Sequence, residues 1–167
     1  MDVKTLMYIQ SETEFDRARW RGFWEIVRGR LTRNDVCLLS FNEAVAKLRP
    51  GQVVDLGIQD IPVKAIVGSV GRGREFTRRF LPRVGDRHSR ERWRNIFTLA
   101  VTGVGLPPIQ VFKLGEAYYV KDGHHRVSVA RYMNWTTIQA YVTTLLATYE
   151  ADLLGGSDPV DEFDIRN

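Results

Sequence analysis

The run Asp122-Gly123-His124-His125-Arg126 constrains this chain more than any other stretch, because a strand pattern feeds into it and a helix pattern leaves it. Upstream, Pro107 to Phe112 and Ala117 to Val120 are short β-prone segments around a turn at Gly115, which reads as a hairpin whose second strand delivers Asp122. Downstream, Val127, Val129 and Met133 with the small Ser128 and Ala130 predict a helix from Arg126 to Met133. Asn134 suits the left-handed residue that closes such a helix, and Ile138 to Val142 resumes a strand. A helix start presents N–H groups with no intrahelical acceptor and a partial positive charge, and a glycine there lets the backbone approach a bound anion. With His124, His125 and Arg126 as further donors, the expected ligand is a nucleotide polyphosphate.

The two histidines are adjacent, so they point different ways and one is expected to face the phosphates; the pair lacks chelate spacing for a metal of its own. Asp122 carries two open readings: a hard carboxylate ligand that holds Mg2+ or orients an acceptor hydroxyl, or a simple turn cap.

A chain of 167 residues with 44% hydrophobic content can build one domain with a core and a modest extension. Trp20, Phe23, Trp24, Val27 and Leu31 recur at i, i+3, i+4, i+7 and i+11, which predicts a helix from Glu12 to Leu31 with Ser11 as cap and Glu14 three residues on. Two tryptophans on that stripe favour packing on the chain's own core over a membrane surface or a partner. Ser40 to Leu48 reads as a second helix, capped by Ser40 with Glu43, and Pro50-Gly51 marks the passage to a β-rich region. The expected organisation is a helical extension over 1–50, a β-rich domain over 51–148 and a mobile acidic tail over 149–167. A lone cysteine gives no intrachain disulfide, and Cys37 within the apolar Val36 to Leu39 reads as a buried core residue. No run of about eighteen apolar residues marks a membrane span and no signal-like segment opens the chain, so a cytoplasmic location is expected.

The net charge is +4, yet arginines at 72, 74, 78, 79, 83, 87, 90, 92 and 94 crowd one stretch. A solvated helix face neutralised by Glu75, Asp86 and Glu91 and a nucleic-acid surface explain this equally well. Gly68 to Arg74 reads as a flexible basic loop before a helix from Glu75 to Phe80, and Ser89 to Thr102 as a helix with Trp93, Ile96, Phe97, Ala100 and Val101 on its core face.

From Ile61 to Val142 the chain resembles the ParB N-terminal and sulfiredoxin-like superfamily, which also contains free-serine kinases. Three segments in register carry the resemblance: Ile61 to Ile66 as an opening strand, Gly105-Leu106-Pro107-Pro108-Ile109 leading into the hairpin, and the turn Asp122 to Arg126. It implies an α+β fold, a small mixed sheet with flanking helices and an N-terminal helical extension, with ATP or CTP and Mg2+ as cofactors. It also implies that the glycine-arginine loop approaches the nucleotide, placing Ser69, Arg72 and Arg74 beside Gly123, His124, His125 and Arg126. Asp122 is then the candidate metal ligand and catalytic residue, and Glu75 the candidate base for hydrolysis or phosphoryl transfer. The chain also departs from the superfamily. Sulfiredoxins carry a catalytic cysteine where His124 stands, so sulfinic acid reduction is not expected. Partition proteins carry a glutamate and a second arginine where this turn has two histidines, so a preference for CTP does not transfer. The alternative to catalysis is a nucleotide-gated regulator, with DNA along the Arg72 to Arg94 stretch, a protein partner or a second copy of the chain in view.

Overall fold

Strands form where β-branched and aromatic residues cluster, and in the computed structural model, which describes residues 3–46, 48–83 and 85–149, six of them make one mixed sheet. In chain order the elements are α1 (Val3–Thr32), β1 (Leu39–Ser40), α2 (Phe41–Val45), β2 (Leu48–Pro62), β3 (Ile66–Ser69), α3 (Arg87–Val101), β4 (Ile109–Leu114), β5 (Ala117–Asp122), α4 (His124–Tyr132) and β6 (Thr137–Tyr149). Across the sheet the order is β1-β3-β5-β4-β6-β2. The β4–β5 hairpin turns at Gly115, where φ is +58°, and sets Val111 opposite Val120. β3 runs parallel to β5 and β6 parallel to β4, while β2 pairs antiparallel with β6. The fold is therefore α+β, a small mixed sheet with flanking helices, as the sequence implied. Among the described residues no helix is long and apolar enough to cross a membrane. Residues 150–167 of the expected acidic tail lie outside the described residues.

α4 occupies the centre, starting two residues earlier than expected. Val127 and Ala130 pack on the sheet core with Ile66, Ile109, Val120 and Val142, while Val129 joins Phe15, Trp93 and Phe97 on the other side. A helix buried on both sides loses the one-sided stripe of a surface helix. Ser128 is small enough to sit in that second interface and accepts a hydrogen bond from Trp93 Nε1 at 3.0 Å. Asn134 is left-handed with φ +57°, as its place after the helix required.

Four local expectations give way to the structure. Ile61 to Ile66 is not one strand: β2 ends at Pro62, a 3-10 turn spans Val63–Ala65, and β3 begins at Ile66. Val63 and Ile66 are both buried three residues apart, the spacing of a 3-10 turn rather than of a strand. Glu75 to Phe80 is not a helix either. Phe76 and Phe80 both reach the core, Phe80 takes φ +60°, and Pro82 disfavours helical geometry in the residue before it. Cys37 is half-buried rather than a core residue, with Sγ accepting from Arg83 Nη1 at 3.2 Å. α3 starts at Arg87, two residues before the expected Ser89, because Asp86 caps it by accepting from the Ser89 N–H at 3.0 Å.

The largest revision concerns α1, which begins at Val3, well before the predicted Glu12, and ends at Thr32, one residue past the predicted Leu31. Its buried stripe is Ser11, Phe15, Ala18, Gly22 and Gly29, recurring at i, i+4, i+7, i+11 and i+18. Trp20, Phe23, Trp24 and Leu31 instead stand 61, 51, 50 and 81% exposed. Close approach decides the face: a Cβ on Gly22 would lie 2.8 Å from Pro82 O, and one on Gly29 would lie 2.1 Å from Val36 Cγ1. Ser11 is accordingly no cap but an interior residue that accepts from Arg94 Nε at 3.1 Å. Arg94 pairs with Glu12 at 2.5 Å, and Arg90 with Glu12 and Asp16 at 2.8 and 3.1 Å, which locks α1 against α3.

Candidate functional site

β5, a central strand, ends at Asp122, and the chain then reverses into α4 through Gly123, whose φ of +99° no other residue adopts without strain. The first bond within α4 runs from Val127 N–H to Gly123 O at 3.0 Å, so the N–H groups of His124, His125 and Arg126 have no intrahelical acceptor. A cavity of about 290 Å³ opens in front of them, lined by Arg72, Arg92, Asn95, Ile96 and residues 122–126.

The two imidazoles are 5 and 8% exposed. Burial pushes both down to about 4, and the neighbouring guanidinium of Arg72 acts in the same direction on His124, as do Arg92 and Arg72 on His125. Both are neutral at pH 7, so they offer N–H donors and lone pairs rather than charge. His124 Nε2 lies 2.7 Å from Ser69 Oγ, and that hydroxyl also accepts from the N–H groups of Gly71 and Arg72 at 3.2 and 2.9 Å. With its lone pairs so engaged, Ser69 donates its proton to Nε2, which leaves the His124 proton on Nδ1. His125 Nδ1 is buried without a hydrogen-bond partner. Buried polar atoms are nearly always satisfied, so this atom, in a residue that lines the cavity, is left to take a partner from outside the protein.

Arg126 is tied largely to the protein. Its Nη1 donates to Pro107 O and Pro108 O at 2.9 and 2.7 Å, and Nη2 to Asp122 Oδ2 at 2.5 Å. It clamps the lead-in to β4 against the start of α4, keeping Nε–H and one Nη2–H for other partners. Arg72 lines the cavity and pairs with Glu75 at 3.3 Å, so Glu75 touches the site through Arg72 and is not itself a lining residue. Ser69 stands behind His124, and Arg74 is exposed outside the lining. Arg92 and Asn95 are the residues that the sequence reading missed. They lie three apart on α3, on the face turned away from buried Trp93, and that i, i+3 spacing next to a core face was the available signal.

No protein-family model matches the chain, and no curated protein matches it. Among solved structures, sulfiredoxin from Arabidopsis thaliana is similar over 51% of this chain and 82% of that chain, at 21% identity and a TM-score of 0.37. A likeness of that size assigns neither family nor activity.

No group of three or more metal-ligating side chains exists among the described residues. Asp122 offers one carboxylate, half engaged by Arg126, which suits an ion that arrives already bound to phosphates rather than one held in a protein cage. The arginines of the central stretch do not form one basic face. Arg87, Arg90 and Arg94 are in ion pairs with Glu91, Glu12 and Asp16, while Arg72 and Arg92 turn to this cavity.

Proposed function

We propose that the start of α4 binds the phosphate chain of a nucleoside triphosphate, ATP or CTP. The observation that carries this reading is the conjunction of three open N–H groups, an unpartnered His125 Nδ1 and the cations Arg72 and Arg92 around one cavity. Helix N-termini favour anions, and arginine guanidinium matches phosphate oxygens in paired bonds. At about 290 Å³ the cavity lies at the small end of ligand sites, so it takes the phosphates while sugar and base extend past its rim. Asp122 is the side chain that would hold Mg2+, and the ion would supply neutralisation of the phosphate charge. Ser69, Arg126 and Glu75 act through others here: Ser69 fixes His124, Arg126 fixes the turn, and Glu75 orients Arg72. Hydrolysis or transfer to an acceptor fits such a site, with Asp122 at its mouth.

The test is thermal unfolding with ATP, CTP and inorganic pyrophosphate, with and without Mg2+. A ligand at a hundred times its Kd stabilises by about 2.7 kcal/mol, and Arg92→Ala should remove most of that response while leaving the fold intact. Absence of stabilisation by any of the three ligands sinks the reading. Stabilisation without release of phosphate would favour a second reading, a nucleotide-gated regulator. Ser69 supports it by tying the basic loop at Gly71 and Arg72 to His124, so that a ligand on one orders the other.

A further inference from the structure

A second cavity, about 870 Å³, lies between α1 and the C-terminal end of α4, the far end of that helix from the site above. α4 has nine residues, so roughly 13 Å of helix separates the two. Cations and flat rings make up most of its lining, beside Pro62, Val63, Leu81, Asn134 and Thr136. Arg21, Arg28, Lys64, Arg79 and Arg131 surround it against a single carboxylate, Glu25. Glu25 is occupied, since Oε2 accepts from Thr77 Oγ1 at 2.8 Å and Oε1 from the Arg79 N–H at 3.3 Å. Arg131 is anchored by Nη2 bonds to Ile66 O at 3.0 Å and Lys64 O at 3.3 Å, and its buried Nε has no partner.

The rings are Trp20, Trp24, Tyr132 and Trp135. Trp20 and Trp24 meet edge to face with centroids 5.6 Å apart, and both stand at least half exposed. An exposed aromatic pair costs solubility and contributes little to folding, so a surface of this kind marks a contact. A lipid surface or an apolar partner fits poorly with so many cations inside the cleft. Arg21 and Arg28 are seven residues apart on one face of α1, about 10 Å along it, with Trp24 between them. Cations alternating with flat rings match a polymer in which phosphates alternate with bases.

We propose that this cleft binds single-stranded nucleic acid, its bases stacked on Trp20 and Trp24 and its phosphates on Arg21, Arg28, Lys64 and Arg79. Stacking is tolerant of sequence because every base has a π-face, so binding here is sequence-independent. A duplex keeps its bases inside and binds more weakly. This inference is separate from the site at the α4 N-terminus and stands or falls without it.

Fluorescence anisotropy of a labelled oligothymidylate of about 15 nucleotides tests it on the full chain. Four phosphate contacts to a single strand predict a roughly 50-fold loss of affinity between about 50 and 200 mM salt. Trp24→Ala should weaken binding roughly 5- to 150-fold, with Trp24→Phe recovering most of it. Arg79→Ala should weaken binding and flatten the salt dependence. Arg87→Ala removes an equal charge outside the cleft and leaves affinity within about twofold. Circular dichroism confirms that each variant folds. No binding at about 50 mM salt, duplex bound as tightly as the single strand, or affinity unmoved by both Trp24→Ala and Arg79→Ala would each overturn the proposal.

Discussion

Gly123 joins strand to helix at a φ of +99°, and a methyl group there would meet Ile109 Cγ2 at 2.5 Å and Ile109 Cβ at 2.9 Å. Ile109 is fully buried and cannot step aside. Gly123→Ala therefore combines left-handed strain with overpacking and should destabilise the protein by roughly 2–4 kcal/mol in urea unfolding. A loss below about 0.5 kcal/mol would show that the turn relaxes. This residue was legible because a tight turn before a helix announces itself within five positions. Ser69 was not legible on local grounds. Its partner His124 lies 55 residues away, and only the parallel pairing of β3 with β5 brings the two together. Side-chain bonds across that distance leave no periodic trace, so the resemblance, not the pattern, brought Ser69 into the expected site.

At the scale of elements, the strands of the hairpin, α3 and α4 were read close to their places, because turn residues and caps act over a few positions; α2 was found by its Ser40 cap but ends at Val45, and the expected helix end at Leu48 instead opens β2. α1 was read as a helix with the wrong face inward. Hydrophobic periodicity weights large side chains, whereas the buried stripe from Ser11 to Gly29 has one large side chain, Phe15, and is otherwise small, with Gly22 and Gly29 letting Pro82 and Val36 come close. Both stripes have helical spacing, and only the shape of the opposing surface decides between them. The consequence is measurable. Phe15 is fully buried and packs edge to face on Trp93 with centroids 5.6 Å apart, so Phe15→Ala should cost about 3–5 kcal/mol. Phe23, half exposed, should tolerate alanine within about 0.5 kcal/mol. The reverse ranking would return the aromatic stripe to the core.

For the molecule as a whole, acid is the condition that tests how site and stability are joined. His124 and His125 sit where sheet, α4 and the basic loop meet, and burial holds both near 4 against an ordinary value of 6.5. The folded state thus binds fewer protons than the unfolded chain throughout that window. The stability these neutral imidazoles permit is fully present above about pH 6.5 and is lost as the pH falls toward 4, steepest near pH 5, with an upper bound of roughly 3 kcal/mol for each. Urea unfolding at pH 7.5, 6 and 5 should trace this fall, and the double variant His124→Gln, His125→Gln should flatten it. An anion held against the α4 start favours the protonated rings, so the proposed ligand and acid act on the same two groups with opposite effect. Inorganic pyrophosphate should then stabilise more at pH 5 than at pH 7.5. Equal stabilisation at both values would place the bound anion away from the imidazoles, and a flat pH profile would show that they are solvated in the folded protein.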